Sequence, residues 1–160
     1  FTNSFPGNDS IYYEEGILVG YRWFDTKNIE PLYPFGFGLS YTTFEYSQAE
    51  TDKKEYDLKE VIKVKVNIKN TGNASGKEVA QLYVKDDESS VVKPLKELKG
   101  FQKVLVNPGE VKLVEFELPV SQLAYYDEES ATWQVESGKY DLLIGASSRD
   151  IRQEVSVDVK

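Results

Sequence analysis

The sequence predicts a mainly β protein in two parts, an irregular aromatic-rich segment over residues 1–41 and an antiparallel β-sandwich over residues 42–160. Three observations support this division. Apolar and polar side chains alternate strictly over residues 62–69, which is the period of a strand with one buried face. About seven such short stretches follow one another, separated by turn-forming residues and without any long helical period, as in a sandwich. Finally, 13 of the 21 aromatic residues lie within the first 46 positions.

The aromatic-rich segment, which we call the head, carries more apolar surface than it can bury by itself. Its rings and those at the start of the sandwich are Phe1, Phe5, Tyr12, Tyr13, Tyr21, Trp23, Phe24, Tyr33, Phe35, Phe37, Tyr41, Phe44 and Tyr46. Each such ring can bury roughly 150–250 Å². The segment is too short for a core and is broken by Pro6, Pro31 and Pro34. We therefore expect it to belong to a larger folded body.

Local patterns predict the conformation within the head. The apolar run over residues 17–21 predicts a short buried strand, and Asp25 is placed to cap a short helical turn. Pro31 and Pro34 favour extended or turn geometry, and the glycines within residues 35–39 allow a tight turn between rings.

The strands of the sandwich follow from alternation. We predict them over residues 43–48, 62–69, 78–85, 98–106, 114–118, 133–135, 140–144 and 155–159. The stretch 78–85 has mixed faces, which indicates burial on both sides. Turns are predicted over residues 70–76, 107–110 and 137–138, and the acid-rich stretch 50–60 is expected to be a solvated loop.

Composition excludes several classes of function. The net charge is −8 and the pI is about 4.7, which argues against a nucleic-acid partner and against an anionic membrane surface. No apolar run approaches the roughly 20 residues of a membrane-spanning helix. The chain has no cysteine and no histidine, so disulfides, thiolate metal sites and Ser-His or Cys-His nucleophiles are all excluded. We expect no cofactor.

Carboxylates are the remaining candidates for chemistry, and two of them suffice for glycoside hydrolysis. Glu14 and Glu15 lie beside aromatic rings, where a raised carboxyl pKa or a sugar platform is conceivable. The favoured interpretation is structural: one carboxylate faces solvent and the other caps the chain or pairs with Arg22. The run 86–88, with sequence DDE, offers oxygen ligands for calcium but lacks the spacing of a calcium loop, so a solvated strand end is favoured.

Two further motifs have both a functional and a structural interpretation. Tyr125, Tyr126 and Trp133 could form a carbohydrate-stacking platform, although core and corner packing is the favoured interpretation in a sandwich. Asn8 and Asn73 begin short sequences that match the glycosylation acceptor pattern, which matters only in a secreted eukaryotic protein.

At this point longer motifs resemble a known family, the family 3 glycoside hydrolases of the β-glucosidase and β-xylosidase group. The head carries the strings YEEGILVGYRWFD at 13–25 and YPFGFGLSYT at 33–42, which resemble the end of the α/β sandwich domain of that family and the exit from it. The rest is similar to the fibronectin type III-like (immunoglobulin-like) domain that follows in many members. Its matching strings are NTG at 70–72, EVAQLYV at 78–84, LKGF at 98–101, PGE at 108–110, LAYYD at 123–127 and GASSRDI at 145–151.

The resemblance implies that catalysis lies outside this chain. In the family, the nucleophilic Asp comes from a preceding (β/α)8 barrel and the acid/base Glu from the α/β domain upstream of residue 13. No residue here matches either motif, so we expect no catalytic, cofactor-binding or metal-binding residue. The implied partners are the barrel and α/β domains of the same enzyme, a retaining glycosidase that acts on terminal β-linked sugars such as β-glucosides. The sequence leaves the cellular location open.

Three functional hypotheses remain. The chain braces the catalytic domains, it is a carbohydrate-binding module, or it is an adhesive sandwich, since fold does not fix function. A binding module needs exposed coplanar rings, whereas alternation assigns most of the eight rings after Tyr46 to the interior. A brace needs a head that runs back along the sandwich, and we expect Tyr41 and Phe44 to anchor that seam. The brace is the favoured hypothesis.

Overall fold

Short strands make up most of the chain in the computed structural model, which describes residues 13–86 and 88–160. One helix, α1 (Tyr21–Thr26), precedes the strands. The strands are β1 (Phe44–Thr51), β2 (Glu55–Tyr56), β3 (Val61–Asn70), β4 (Gly76–Asp86), β5 (Glu97–Val106), β6 (Val111–Pro119), β7 (Tyr125–Asp127), β8 (Thr132–Gln134), β9 (Gly138–Ser147) and β10 (Asp150–Val159). A single 3-10 turn, Val120–Leu123, connects β6 to β7. Within the described residues, no helix has the length and apolar character that crossing a membrane requires.

Two sheets form a β-sandwich, as predicted. One has the order β1-β3-β6 and the other β2-β10-β9-β4-β5, and every pairing is antiparallel except that of β2 with β10. Strands β7 and β8 form a separate two-stranded ribbon.

The core lies between the two sheets and follows the predicted alternation. Ile62, Val64, Val66 and Ile68 of β3 are all fully buried, and Val66 lies opposite Val114 of β6. From the other sheet the core receives Ala80, Leu82, Val84, Leu142, Ile144, Val155 and Val157, among others. The predicted burial of β4 on both sides is confirmed, because all five residues over 80–84 are buried.

Buried Asn70 explains why the turn after β3 has the sequence NTG. Its amide nitrogen donates to the carbonyl oxygens of Ala74 and Val106, both at 2.8 Å, and its side-chain oxygen accepts from Thr42 Oγ1 at 2.6 Å. A side chain at Gly72 would meet Thr42 Oγ1 at 2.3 Å, so any larger residue there would displace Thr42 from Asn70. Asn70 thus ties the turn to the start of β1 and the end of β5.

Three local predictions are wrong. Residues 17–21 form no strand: Gly20 has φ 64°, which an extended strand does not allow, and α1 begins directly after it. Asp25 does not cap the helix but lies inside it and is buried. The stretch 50–60 is not simply a solvated loop, because it contains the end of β1 and the whole of β2. Tyr56 of β2 is 1% exposed and donates to Asp52.

Candidate interdomain surface

The head lies against the sandwich, and the contact is centred on a buried carboxylate. Asp25 is 6% exposed. Its Oδ1 accepts from Arg149 Nε at 2.7 Å, and its Oδ2 lies 2.9 Å from Lys96 Nζ. Lys96 directly precedes β5 and is also buried, and Arg149 occupies the turn between β9 and β10. Two cations from distant parts of the sandwich therefore neutralise one carboxylate of the head.

Arg149 also binds the backbone of the head. Its Nη2 donates to the carbonyl oxygens of Phe24 at 3.0 Å and Ile29 at 2.8 Å, and its Nη1 lies 3.5 Å from the exposed carboxylate of Glu30. Phe24 lies in the last turn of α1, where its carbonyl oxygen also accepts from the N–H of Ile29 at 2.8 Å, and Ile29 lies three residues beyond the helix. The planar guanidinium, with five donors, suits such a set of acceptors. We call Asp25, Lys96 and Arg149 the clasp.

Aromatic packing continues the contact beside the clasp. The ring of Tyr21 stacks on Phe35 with centroids 4.6 Å apart and meets the edge of Tyr83 at 6.0 Å. Its hydroxyl oxygen accepts from the backbone N–H of Leu98 at 2.8 Å. Burial raises the pKa of Tyr21, against the opposing effect of that N–H. Tyr83 of β4 is fully buried because the head covers the outer face of its sheet.

Backbone contacts explain the glycine at position 36. Gly36 has φ 80°, and a side chain there would meet Gln81 Oε1 at 2.2 Å. Its carbonyl oxygen accepts from Gln81 Nε2 at 3.3 Å, and the carbonyl oxygen of Phe35 accepts from the N–H of Ser148 at 2.8 Å. The string YPFGFG is therefore shaped to lie on β4 and on the turn after β9.

Part of the head still faces outward. Leu32, Leu39 and Tyr41 are 90%, 91% and 102% exposed. The prediction that Tyr41 anchors the seam is wrong within this chain, since the ring contacts solvent only. Phe44 does pack against the core, and its carbonyl oxygen accepts from Arg152 at 2.9 Å. The seam is formed by residues 21–36 instead.

The carboxylate candidates from the sequence have structural surroundings. Glu14 is exposed and Glu15 partly exposed. Arg22 binds Glu97 of β5 at 3.0 Å, so of the two alternatives for the second carboxylate, capping the chain or pairing with Arg22, the pairing is wrong. The described residues contain no group of three His, Cys, Asp or Glu side chains able to hold a metal ion.

Within the acidic run at the end of β4, Asp86 is partly buried, which differs from the solvated strand end expected there. Lys93 Nζ binds Asp86 at 2.7 Å and Glu136 at 2.5 Å, and it lies 4.9 Å from the ring centroid of Tyr125. Glu88 is exposed, and Asp87 lies outside the described residues. Asn73, of the two glycosylation patterns, is exposed in the turn between β3 and β4, while Asn8 lies outside the described residues.

The ribbon β7–β8 places two rings in solvent. Tyr126 is 50% and Trp133 70% exposed, with centroids 5.6 Å apart and ring planes at 70°. The expected core and corner packing is wrong for Tyr126 and Trp133, because the ribbon belongs to neither sheet, whereas Tyr125 is partly buried. Of the eight rings after Tyr46, four are buried: Tyr56, Tyr83, Phe116 and Tyr140.

Sequence reasoning missed the clasp altogether. Asp25 and Arg149 are 124 residues apart, and their pairing follows no periodicity. The available signal was indirect: both residues lie within strings that carry the family resemblance.

Comparisons with known proteins match almost the whole chain. The fibronectin type III-like domain family matches residues 78–148. A thermostable β-glucosidase B of Acetivibrio thermocellus is 55% identical over 157 residues, which is 98% of this chain and 21% of that protein. A β-glucosidase of Bacteroides ovatus is 49% identical over 97% of this chain and 21% of its own length.

Solved structures agree in fold. β-Glucosidase 3B of Thermotoga neapolitana, solved with α-D-glucose, superposes with a TM-score of 0.87 at 43% identity and covers 97% of this chain and 22% of its own. A family 3 β-glucosidase of Bifidobacterium adolescentis superposes with a TM-score of 0.89 at 36% identity. The match covers 98% of this chain and 23% of that protein's chain. The chain thus spans about one fifth of the length of the curated relatives that it matches. These matches show that the chain belongs to the family 3 glycoside hydrolases and is a C-terminal portion of such an enzyme, with its fibronectin type III-like domain.

Proposed function

We propose that this chain is a non-catalytic brace that holds the catalytic domains of a family 3 β-glycosidase in place. The clasp is the observation that carries the proposal. Two sandwich cations hold Asp25, and Arg149 also holds two carbonyl oxygens, one in the last turn of α1 and one just beyond it. A head that continues the α/β domain is thereby joined to the sandwich through buried charge rather than through a free linker.

The whole enzyme would carry out the chemistry, a retaining hydrolysis of terminal β-linked sugars such as β-glucosides. The relatives that span this chain are named β-glucosidases, which supports β-glucosides as the substrates of the whole enzyme. The residues of this chain supply neither the nucleophile nor the acid/base, so its contribution is positional. The partners are the barrel and α/β domains of the same enzyme.

The exposed side chains of the head support the same function. Leu32, Tyr33 and Leu39 are between 67% and 91% exposed, although neighbouring residues of the same segment are packed. Apolar side chains that stand out together from a docked segment are typical of a surface that a further domain covers. The two exposed rings of the ribbon are poorly suited to a flat sugar platform, because their planes meet at 70°. The brace is therefore favoured over a carbohydrate-binding module.

The test uses the whole enzyme with Arg149→Ala, and Glu30→Gln as the matched control. Arg149→Ala removes the clasp cation, whereas Glu30 only faces Arg149 from solvent at 3.5 Å. We expect a lower melting temperature and faster proteolysis within residues 27–42, while kcat of the molecules that remain folded stays close to the wild-type value.

Two outcomes would contradict the proposal. An unchanged melting temperature and an unchanged cleavage pattern would mean that the clasp does not join the parts. Lost retention on an insoluble polysaccharide with stability intact would favour the binding module instead.

A further inference from the structure

A groove beside the clasp has walls from three separate parts of the chain. One wall is the β7–β8 ribbon with Tyr126 and Trp133, and the second is the loop before β5 with Val92 and Pro94. The third comes from the head, through Ile17 and the start of α1. We call this space the ribbon groove. It encloses about 850 Å³.

Its walls are held in place by polar contacts, some of them partly buried. Glu136 accepts from the N–H of Ser90 at 2.8 Å and from the hydroxyls of Ser89 and Ser90, which fixes the loop before β5. Lys93 joins that loop to Asp86 and packs on the ring of Tyr125 beneath the ribbon. A groove preformed in this way has less conformational entropy to lose when it is filled.

The lining includes apolar side chains that are strongly exposed. Ile17 is 58%, Val92 78% and Trp133 70% exposed, and all three lie along the same groove. The perpendicular rings suit an irregular apolar side chain better than the flat face of a sugar.

The charged residues that line the groove indicate which charges the occupant carries on either side of its inserted residue. Its cations are already neutralised, since Arg22 binds Glu97 and Lys93 binds two carboxylates. Asp127 and the exposed Glu128 then leave the rim acidic. A complementary occupant presents an apolar side chain flanked by Lys or Arg.

We propose that the ribbon groove is the docking site of the α/β domain of the same enzyme, which inserts an apolar side chain flanked by basic residues. This inference rests on the proposed brace. Two observations select this occupant. The head forms one wall of the groove, so the groove continues the contact between the head and the sandwich. Because the head is expected to follow the α/β domain in the chain, we expect that domain on the same side. The relatives are also about five times as long as this chain, so ample polypeptide is available to fill the groove.

The test places the photocrosslinking amino acid p-benzoylphenylalanine in the whole enzyme, one position at a time. Position 133 reports on the groove and position 39 on the exposed part of the head. Position 111 on β6 is the control, since Val111 is 52% exposed, lies opposite Lys69 in the β1-β3-β6 sheet and does not line the groove. Trp133 is exposed, so its replacement leaves the sandwich core intact. Crosslinked peptides are identified by mass spectrometry.

We expect position 133 to crosslink within the same polypeptide to the α/β domain, beside a Lys or Arg, and position 111 to give no such product. A crosslink from position 133 to a second copy, to residues 1–12 or to nothing would overturn the docking site. If position 39 still reaches the catalytic domains in that case, the brace stands and only the groove assignment falls. If both positions fail, the brace falls as well.

Discussion

At the scale of single residues, the decisive feature is a buried charge that is compensated from two directions. The side chain of Asp25 is 2% exposed, that of Lys96 is 9% and that of Arg149 is 23% exposed. Burying such ions costs several kcal/mol per ion, and their attraction repays this only when geometry and hydrogen bonding are good. The clasp therefore contributes specificity of docking: a head shifted by one turn would leave a buried carboxylate without its cations.

Replacing Asp25 by Asn tests this cost. The change leaves Lys96 buried without its carboxylate, and breaking a buried pair by removing one partner typically costs about 3–5 kcal/mol. We expect the free energy of unfolding in urea to fall by about 3 kcal/mol, whereas Glu30→Gln, at an exposed partner of Arg149, should change it by less than about 1 kcal/mol. Equal effects of the two substitutions would contradict the importance of burial here.

The pKa of Glu136 leads to a prediction of how the stability of the chain depends on pH. Burial opposes its ionisation, but the hydrogen bonds from Lys93, Ser90 and Ser89 outweigh burial and lower the pKa of Glu136 from 4.5 to about 2. Because the folded pKa lies below the unfolded one, the stabilisation is fully present above about pH 4.5 and is lost as the pH falls towards 2.

Urea unfolding of Glu136→Gln and of the unmodified chain, followed from pH 6 to pH 2, measures this effect. The unmodified chain should lose more stability over that range, so the two curves should converge at the acid end. If the free energies of unfolding of the two proteins differed by the same amount at every pH, the lowered pKa of Glu136 would be contradicted.

At the scale of elements, the head and the sandwich depend on each other unequally. The sandwich closes its own core, since β3 contributes four fully buried side chains that pack against the opposite sheet. Within the described residues, the head has one short helix, stacks Tyr21 on Phe35 and against Tyr83 of the sandwich, and contributes no residue to the buried core. It should therefore open at lower free energy than the strands.

Deletion of residues 1–41 tests this asymmetry. We expect residues 42–160 to unfold cooperatively with the far-ultraviolet signature of a β protein, because the core is intact. The midpoint in urea should fall, since Tyr83 becomes exposed and Lys96 loses its carboxylate. In the undeleted chain, amide exchange should be faster in α1 than in β3. Loss of cooperativity on deletion, or greater protection of α1, would show that the head is part of the folding core.

At the scale of the whole molecule, the chain is a C-terminal portion that is about one fifth as long as its relatives, and its exposed apolar surface is concentrated near the head and the ribbon. The outer face of β3 and β6 is more polar, with Lys65 beside Glu115, although Val61, Val111 and Leu113 are also exposed there. This uneven distribution of exposed apolar side chains supports an arrangement in which one face of the chain contacts solvent and another is covered by the rest of the enzyme.

The isolated chain should have no glycosidase activity. Neither catalytic carboxylate of the family has a counterpart here, so we expect no release of nitrophenol from p-nitrophenyl β-glucoside above the buffer rate. Glu14→Gln and Glu15→Gln should leave that result unchanged. Turnover that disappears in either variant would overturn the assignment of catalysis to the missing domains.

The amino-acid sequence by itself determined the sandwich, because a period of two over residues 62–69 leaves only one face that can be buried. The turn 107–110 is equally local: Gly109 takes φ 76°, and Glu110 closes the turn onto Asn107. The family followed from strings such as EVAQLYV, whose last five residues are the doubly buried part of β4. These features depend on neighbours along the chain, which a sequence displays directly.

Only the tertiary structure decided where the head lies and what Asp25 does. An acidic residue near a short helix has the same local signal whether it caps the helix, faces solvent or is buried. Which of these applies to Asp25 depends on its contacts with Lys96 and Arg149, which lie 71 and 124 positions later in the sequence. Likewise, alternation placed Trp133 in the interior, but a ribbon outside both sheets has no core to face. Long-range pairing and membership of a sheet are properties of packing, so they appeared only once the chain was folded.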